Sequence, residues 1–300
     1  MTRRYRLYQV DAFTQQPFTG NPAGVIPDAT GLTDDQMLLI ARELNNSETA
    51  FVFPPDGDDH DIRVRFFTPA TEVPICGHAT IATHYVRAHE GCALGAIRQK
   101  SPVGVLSITT EAYGADYRIW MRQATTEFAA VIERGLRDRL CTALRLDSRR
   151  LGTGPIQIVS TGHSKVLIPV RDRAVLDAIE PDLSELAALS IAIGCNGYYV
   201  FTTCNPEAGA QAHGRMFAPA IGIAEDPVTG NASGPLGAYL LRYRLGPASD
   251  PTHLAFRAVQ GERIRRRGSV FVEATQDLHG AIKVRIAGEA VIAFRTEIEI

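Results

Sequence analysis

Two short stretches of this 300-residue chain carry side chains fit for chemistry. One reads Glu72-Val-Pro-Ile-Cys-Gly-His-Ala79, the other Glu225-Asp-Pro-Val-Thr-Gly-Asn-Ala232, and they correspond at a constant offset of 153 residues. Their lead-ins match as well, Phe67-Thr-Pro-Ala70 answering Phe217-Ala-Pro-Ala220. Each copy follows a strand-like run (Ile62–Phe67, Arg215–Ala218) and opens an Ala-rich, helix-like one. A helix start offers unpaired N–H groups and the positive end of the helix dipole, which attract a carboxylate or a phosphate. A lone glycine in such a place commonly serves only to turn the chain. The doubling, with a different polar residue after each glycine (His78, Asn231), points instead to an anionic ligand gripped by two similar halves.

Two more groups have suitable surroundings. Cys76 precedes the helix-opening Gly77, where a thiol pKa is open to being lowered. Glu48 follows a helix end and precedes the apolar run Thr49–Phe53. A carboxylate squeezed there is partly desolvated, which raises its pKa toward the range useful for proton transfer. The plainer reading of Glu48 is an acid at a loop edge facing solvent.

The elements that position these groups follow from the pattern. Tyr5–Val10 alternates as a half-buried strand. Thr33-Asp-Asp-Gln36 is a capping box, and Met37, Ile40, Ala41 and Leu44 mark the apolar face of a helix ending near Asn45. Asp56–His60 reads as an exposed turn. Strands are expected at Val103–Thr109 and Tyr117–Arg122. The pattern then restarts: a helix carrying Val131, Leu136 and Leu140, a strand at Ile156–Ser160, Thr161-Gly-His163 echoing Thr19-Gly-Asn21, and a helix at Leu183–Ile193. Cys195-Asn-Gly197 stands where Asn46-Ser-Glu48 stood, before strand Tyr198–Phe201. Aligned on Val52-Phe53 and Val200-Phe201, Glu48 corresponds to Asn196. The repeat keeps its scaffold and drops a carboxylate, as expected if one half supplies the acid–base group and the other mainly binds. Helix Asn231–Leu241, with Pro235 in its first turns, and strands at Val270–Thr275, Ile282–Ile286 and Val291–Ile300 complete the chain.

Composition excludes several classes. Hydrophobic residues at 45% and charged ones at 21% describe an ordinary globular protein, and 300 residues with an internal repeat imply two domains. A net charge of −2 gives no electrostatic case for nucleic acid or membranes. Arg263–Arg267 reads as a solvated hairpin tip. No apolar run approaches the ~18 residues of a membrane span, and the amino end passes straight into a strand, so a cytoplasmic location is expected. Five irregularly spaced cysteines fit reduced thiols better than disulfides or a zinc site.

Asp11-Ala-Phe13 with Gly20-Asn-Pro-Ala-Gly24, Asn46-Ser-Glu-Thr-Ala-Phe51, Phe67-Thr-Pro69 with Pro74–Ala79, and Glu225–Ala232 together resemble the PhzF (phenazine biosynthesis protein F) family over essentially the whole chain. The resemblance is closest to its uncharacterised bacterial isomerase-like members. It implies the α+β diaminopimelate-epimerase-like fold, in which two pseudo-symmetric domains are each a β-barrel around a central helix, with the site in the cleft between them. Domain bounds are expected at 1–122 with the final strand 288–300, and at 123–287. The resemblance further implies a homodimer, no metal and no organic cofactor. By the family pattern the catalytic glutamate falls on Glu48, the site histidine on His78 and the aspartate on Asp226, with Cys76, Gly77, Thr229, Gly230 and Asn231 lining the substrate.

The expected activity is therefore a cofactor-independent isomerisation that moves a proton on a small carboxylated substrate. Two alternatives stand beside it, a Cys76-dependent epimerase or hydrolase and a non-catalytic binding protein. A Cys76-dependent epimerase is disfavoured because the second thiol of diaminopimelate epimerases is Thr229 here, and a threonine hydroxyl is a poor acid–base group. A Cys76–His78 hydrolytic pair is disfavoured because side chains two residues apart at a helix start are expected to diverge. A non-catalytic ligand-binding or protein-binding member of the fold is the other alternative.

Overall fold

A computed structural model describes residues 3–195, 197–204, 209–246 and 250–300. The chain forms two compact units, Met1–Arg122 with Ala287–Ile300, and Gln123–Ile286.

The first unit contains strands β1 (Arg4–Ala12) and β2 (Asn21–Ile26), helix α1 (Asp34–Leu44), strands β3 (Glu48–Phe53), β4 (Ile62–Phe67) and β5 (Glu72–Val73), helix α2 (Gly77–His89), and strands β6 (Gly95–Ser101), β7 (Gly104–Tyr113) and β8 (Asp116–Arg122). The last strand of the chain, Ala290–Glu299, returns to this unit and pairs antiparallel with β1. β2 and β3 run parallel, as do β4 and β6. The sheet curves round α2, which packs on β1, β2, β3, β7, β8 and the final strand. Such a helix must be apolar all round, and every residue of α2 is buried except Arg87 and His89. Its buried hydroxyls bond back into the helix, Thr80 to the Cys76 carbonyl at 2.7 Å and Thr83 to the Ala79 carbonyl at 2.7 Å.

α1 lies on the outer face of this sheet. The Thr33–Gln36 capping box forms, and Asn45 closes the helix in the left-handed region at φ 52°. Its apolar stripe (Met37, Ile40, Ala41) packs with Tyr5, Leu7, Ile26, Phe51 and Phe67. β3, held between α1 outside and α2 inside, is buried along its middle for this reason.

The second unit repeats the plan with β9 (Glu127–Val131), α3 (Arg134–Ala143), β10 (Gln157–Ser160), β11 (Ser164–Pro169), α4 (Arg173–Asp177), α5 (Leu183–Ile193), β12 (Tyr198–Thr202), β13 (Ala212–Ala218), β14 (Ile223–Asp226), α6 (Gly230–Tyr243), β15 (His253–Gln260), β16 (Gly268–Gln276) and β17 (Ile282–Gly288). α6 is the inner helix and packs on β10, β11, β15 and β16. An outer cluster joins α3, α4 and α5 to the sheet through Leu140, Leu176, Leu186, Leu189 and Phe217. Residues 261–267 link the antiparallel strands β15 and β16 and carry the arginine run.

Four details differ from the expectations. Val131 lies not on a helix but in β9, an edge strand tied to β10 by main-chain pairing, with few buried side chains of its own. β6 also escaped notice. His60 is buried, its Nδ1 2.6 Å from Asp59 Oδ1 and its Nε2 accepting from the Asp56 N–H at 3.1 Å. Pro235 stands at the sixth position of α6, so the Asn231 carbonyl lacks its helical donor. None of the five cysteines is in a disulfide; Cys141 and Cys195 are buried, Cys204 exposed. Among the described residues, no helix is long and apolar enough to cross a membrane.

The core of α2 predicts an acid sensitivity. His84 is wholly buried, with Nε2 2.9 Å from Gln99 Oε1, and desolvation lowers its pKa to about 4. Its unfolded value is near 6.5, so between those values the unfolded chain binds the extra proton and the folded chain does not. The stability that neutral His84 contributes is present above pH 6.5 and is lost as the pH falls toward 4. Unfolding free energies from urea titrations at pH 7 and pH 5 should differ by on the order of 2 kcal/mol from this group. A His84→Gln variant should lack that part of the loss; an unchanged pH slope would refute the assignment.

Candidate active site

The first unit brings three of the expected residues together. Glu48 is the opening residue of β3, placed by the αL stop of α1 three residues earlier. Cys76 is the N-cap of α2 and His78 its second residue. His78 Nε2 stands 3.4 Å from Glu48 Oε2 and 3.3 Å from Ser47 Oγ, while its Nδ1 lies 3.3 Å from Cys76 Sγ. The ligating atoms of Glu48, Cys76 and His78 all fall within 4.8 Å of one another, a spacing that serves proton exchange and would also suit a small cation. The side chains are largely enclosed, Glu48 18% and His78 9% exposed.

Glu48 is unusual within this cluster. Its Oε2 is buried and makes no aligned hydrogen bond among the described residues, the approach to His78 being an ion-pair distance only. A buried carboxylate oxygen without a hydrogen bond costs stability, and a fold retains one where chemistry needs the lone pair. The Cys76–His78 contact corrects the expectation that these side chains diverge. Cys76 is the extended cap residue at φ −144°, so its side chain folds back over the first turn toward the ring.

Gly77 has a negative φ, and a Cβ there would meet only Met121 Cε at an ordinary 3.6 Å. Neither backbone conformation nor packing among the described residues of the unit demands glycine there. Ser47 and the amide pair behind it escaped sequence reasoning. Gln9 and Asn46 exchange two hydrogen bonds, 2.9 and 2.8 Å, and tie the turn carrying Ser47 and Glu48 to β1. The only hint was the polar Gln9 inside an apolar strand.

In the second unit the matching loop is braced from β15. Gln260 Nε2 donates to the Asp226 carbonyl at 2.7 Å and to Thr229 Oγ1 at 3.1 Å, and its Oε1 accepts from the Thr229 N–H at 3.2 Å. The Thr229 hydroxyl donates to the Asp226 carboxylate. Asp226 is buried, Thr229 is the N-cap of α6, and Gly230 and Asn231 open it. Gln123 Nε2 reaches the Gly230 carbonyl and Asn231 Oδ1, both at 3.2 Å, and its Oε1 accepts from Thr161 at 2.7 Å. Gln260 and Gln123, neither of them in a recognisable motif, therefore set this helix start. Asn196, the expected counterpart of Glu48, lies outside the described residues.

Known proteins match this chain over nearly its full length. An uncharacterised isomerase of Clostridium acetobutylicum is 49% identical over 300 residues, 99% of each chain. The trans-2,3-dihydro-3-hydroxyanthranilate isomerase of Pseudomonas aeruginosa is 31% identical over 280 residues, 90% of each. A crystal structure of a PhzF-family phenazine biosynthesis protein from Bacillus anthracis superposes with a TM-score of 0.89 at 31% identity, covering 99% of this chain and 100% of that one. Fold and relatives define the class as an isomerase of α+β architecture. The chain belongs to the phenazine biosynthesis-like protein family, whose profile matches residues 10–296.

Proposed function

We propose that this isomerase moves a proton on a small cyclic or unsaturated carboxylate, with Glu48 as the proton shuttle. The observation that carries the reading is the enclosed Glu48 Oε2, without a hydrogen bond among the described residues and 3.4 Å from His78 Nε2. An isomerase makes no net change in atoms. The proton taken from one carbon must therefore be balanced by a proton delivered to another, either the same one or one exchanged with water on Glu48. Glu48 accepts it, the electron pair left behind spreads into the neighbouring double bonds, and Glu48 returns the proton to another carbon on the same face. His78, steadied by Ser47, holds a polar hydrogen of the substrate. The first-turn amide at Gly77 receives the carboxylate and the negative charge that develops with it, and the family pattern gives Gly230 and Asn231 a substrate-binding role in the second unit. Asp226, in the role implied by the family pattern, binds the substrate's amino or hydroxyl group. The isomerase of Pseudomonas aeruginosa, named for a dihydro-hydroxyanthranilate, supports this substrate class.

The test is incubation in deuterium oxide with a panel of small carboxylates, including unsaturated cyclic amino acids and β-hydroxy acids, scored by mass spectrometry. Deuterium uptake or isomerisation by the wild type that disappears in Glu48→Gln supports the shuttle. The 3.3 Å contact of Cys76 Sγ with His78 Nδ1 favours one second reading, an epimerase using the thiol. The two separate cleanly by mutation. With Glu48 as shuttle, Cys76→Ala should keep activity within about tenfold while Glu48→Gln removes it. The reverse ranking would establish the thiol.

A further inference from the structure

Because the two units share one repeat, their strand registers identify corresponding residues. In the first unit Thr49 faces Phe67 on β4, and Glu48 lies beside Ala23 on the parallel neighbour β2. In the second, Tyr198 faces Phe217 on β13 and lies beside Val166 on the parallel neighbour β11. Phe67 and Phe217 are the matched phenylalanines of the two signatures. Thr49 therefore corresponds to Tyr198, Glu48 to Gly197 and Ala23 to Lys165, one residue away from the alignment that paired Glu48 with Asn196. The helix ends agree: Asn45 and Gly194 both close their helices in the left-handed region, each three residues before the position in question.

The repeat has thus exchanged the two strands' contributions. The first unit sets a carboxylate beside a methyl group; the second sets a bare backbone beside a long amine. A Cβ on Gly197 would come within 2.5 Å of Lys165 Cδ, 2.9 Å of Cε and 3.3 Å of Nζ. The glycine is what lets the lysine stem lie across position 197, where the counterpart of the Glu48 side chain would begin. Lys165 is half-buried, and its Nζ donates to the Ser164 carbonyl at 3.1 Å. An ammonium has three donors, so two remain for a ligand among the described residues. Burial holds its pKa below the usual lysine range, while the Cys195 thiol and the Asp226 carboxylate act in the opposite direction. The lysine therefore shares its surroundings with Asp226.

We propose that Lys165 is a substrate-binding residue, the cation that receives the substrate carboxylate from the second unit's counterpart of the Glu48 position. This rests on the isomerase reading above, which supplies the carboxylate. It makes the second unit a specificity determinant: uncharged analogues lose their contact with Lys165, whereas amide donors alone discriminate less sharply.

The probes are 3-hydroxyanthranilate, a stable aromatic compound bearing carboxylate, amine and hydroxyl, and 2-aminophenol, which lacks the carboxylate. Calorimetric titration of the wild type should show tighter binding of 3-hydroxyanthranilate. Lys165→Met should weaken that binding by about 10- to 100-fold, the worth of one charged hydrogen bond, and leave 2-aminophenol unchanged. Gly197→Ala, whose Cβ must displace the lysine stem, should weaken 3-hydroxyanthranilate in the same way and add nothing in the Lys165→Met background. Equal affinity of wild type and Lys165→Met for 3-hydroxyanthranilate, or a wild type without carboxylate-dependent affinity, overturns the proposal. Lys165-dependent binding without Glu48-dependent deuterium exchange would leave the lysine's role standing and remove the isomerase reading.

Discussion

Glu48→Gln is expected to slow proton exchange by about 10²- to 10⁴-fold, the range supplied by a positioned general base. The substitution preserves shape and removes only the ability to take a proton. Stability should not fall with activity, because Oε2 has no hydrogen bond to lose among the described residues and a half-buried charge is replaced by a neutral amide. An unchanged or slightly raised melting temperature beside lost exchange would therefore mark a chemical role. Full exchange in the variant would sink the shuttle; loss of exchange together with unfolding would make Glu48 a structural residue. His78→Asn should fall between the two extremes, since the imidazole holds a polar hydrogen and does not carry the transferred proton. Its loss also frees Ser47 and Cys76 from their contacts with the ring.

The largest stability effect is expected at Arg215. Its guanidinium pairs with Glu225 through Nε and Nη2 at 2.9 and 2.8 Å, and its Nη1 donates to the Leu176 and Ile179 carbonyls at 3.1 and 2.7 Å. The side chains are only 6% and 12% exposed. Arg215→Ala strands a buried carboxylate and removes the donor from two carbonyls, so about 3–5 kcal/mol should be lost. The repeat supplies an internal control. Arg65 grips Glu72 by the same two-bond geometry, 2.8 and 2.7 Å, and also reaches Asp34, but the Arg65 and Glu72 side chains are 17% and 32% exposed. Water can take over the contacts there, and Arg65→Ala should cost about 1 kcal/mol. Urea midpoints of the two variants measure the contrast. Equal losses would show that burial does not set the value of these pairs.

Features that depend on neighbouring residues were legible before the fold. The capping box of α1, the full span of α5 and the openings of α2 and α6 rest on backbone chemistry confined to a few consecutive positions. The repeat could be read because each unit must build the same junction, a strand entering an inner helix. Glu48 stood out because its helix-end and strand-start neighbours restrict where its side chain can go.

Other features have no local signature. β9 exists through hydrogen bonds to β10 across a long excursion of chain, so its own side chains carry no burial pattern. His60 is buried because two aspartates from the same turn satisfy its nitrogens, which composition alone cannot distinguish from an exposed polar turn. The approach of Cys76 to His78 follows from the extended cap residue rather than from spacing in sequence. The bracing of α6 by Gln260 and Gln123 joins residues roughly 30 and 107 positions away.

By itself the sequence determined the family, the doubled helix starts and the carboxylate at the turn before β3, because each is written in contiguous residues. The tertiary structure decided which residues of the two halves correspond. Strand register is set by hydrogen bonds between segments far apart in the chain, and a shift of one position exchanges Asn196 for Gly197 and brings Lys165 to the place opposite it.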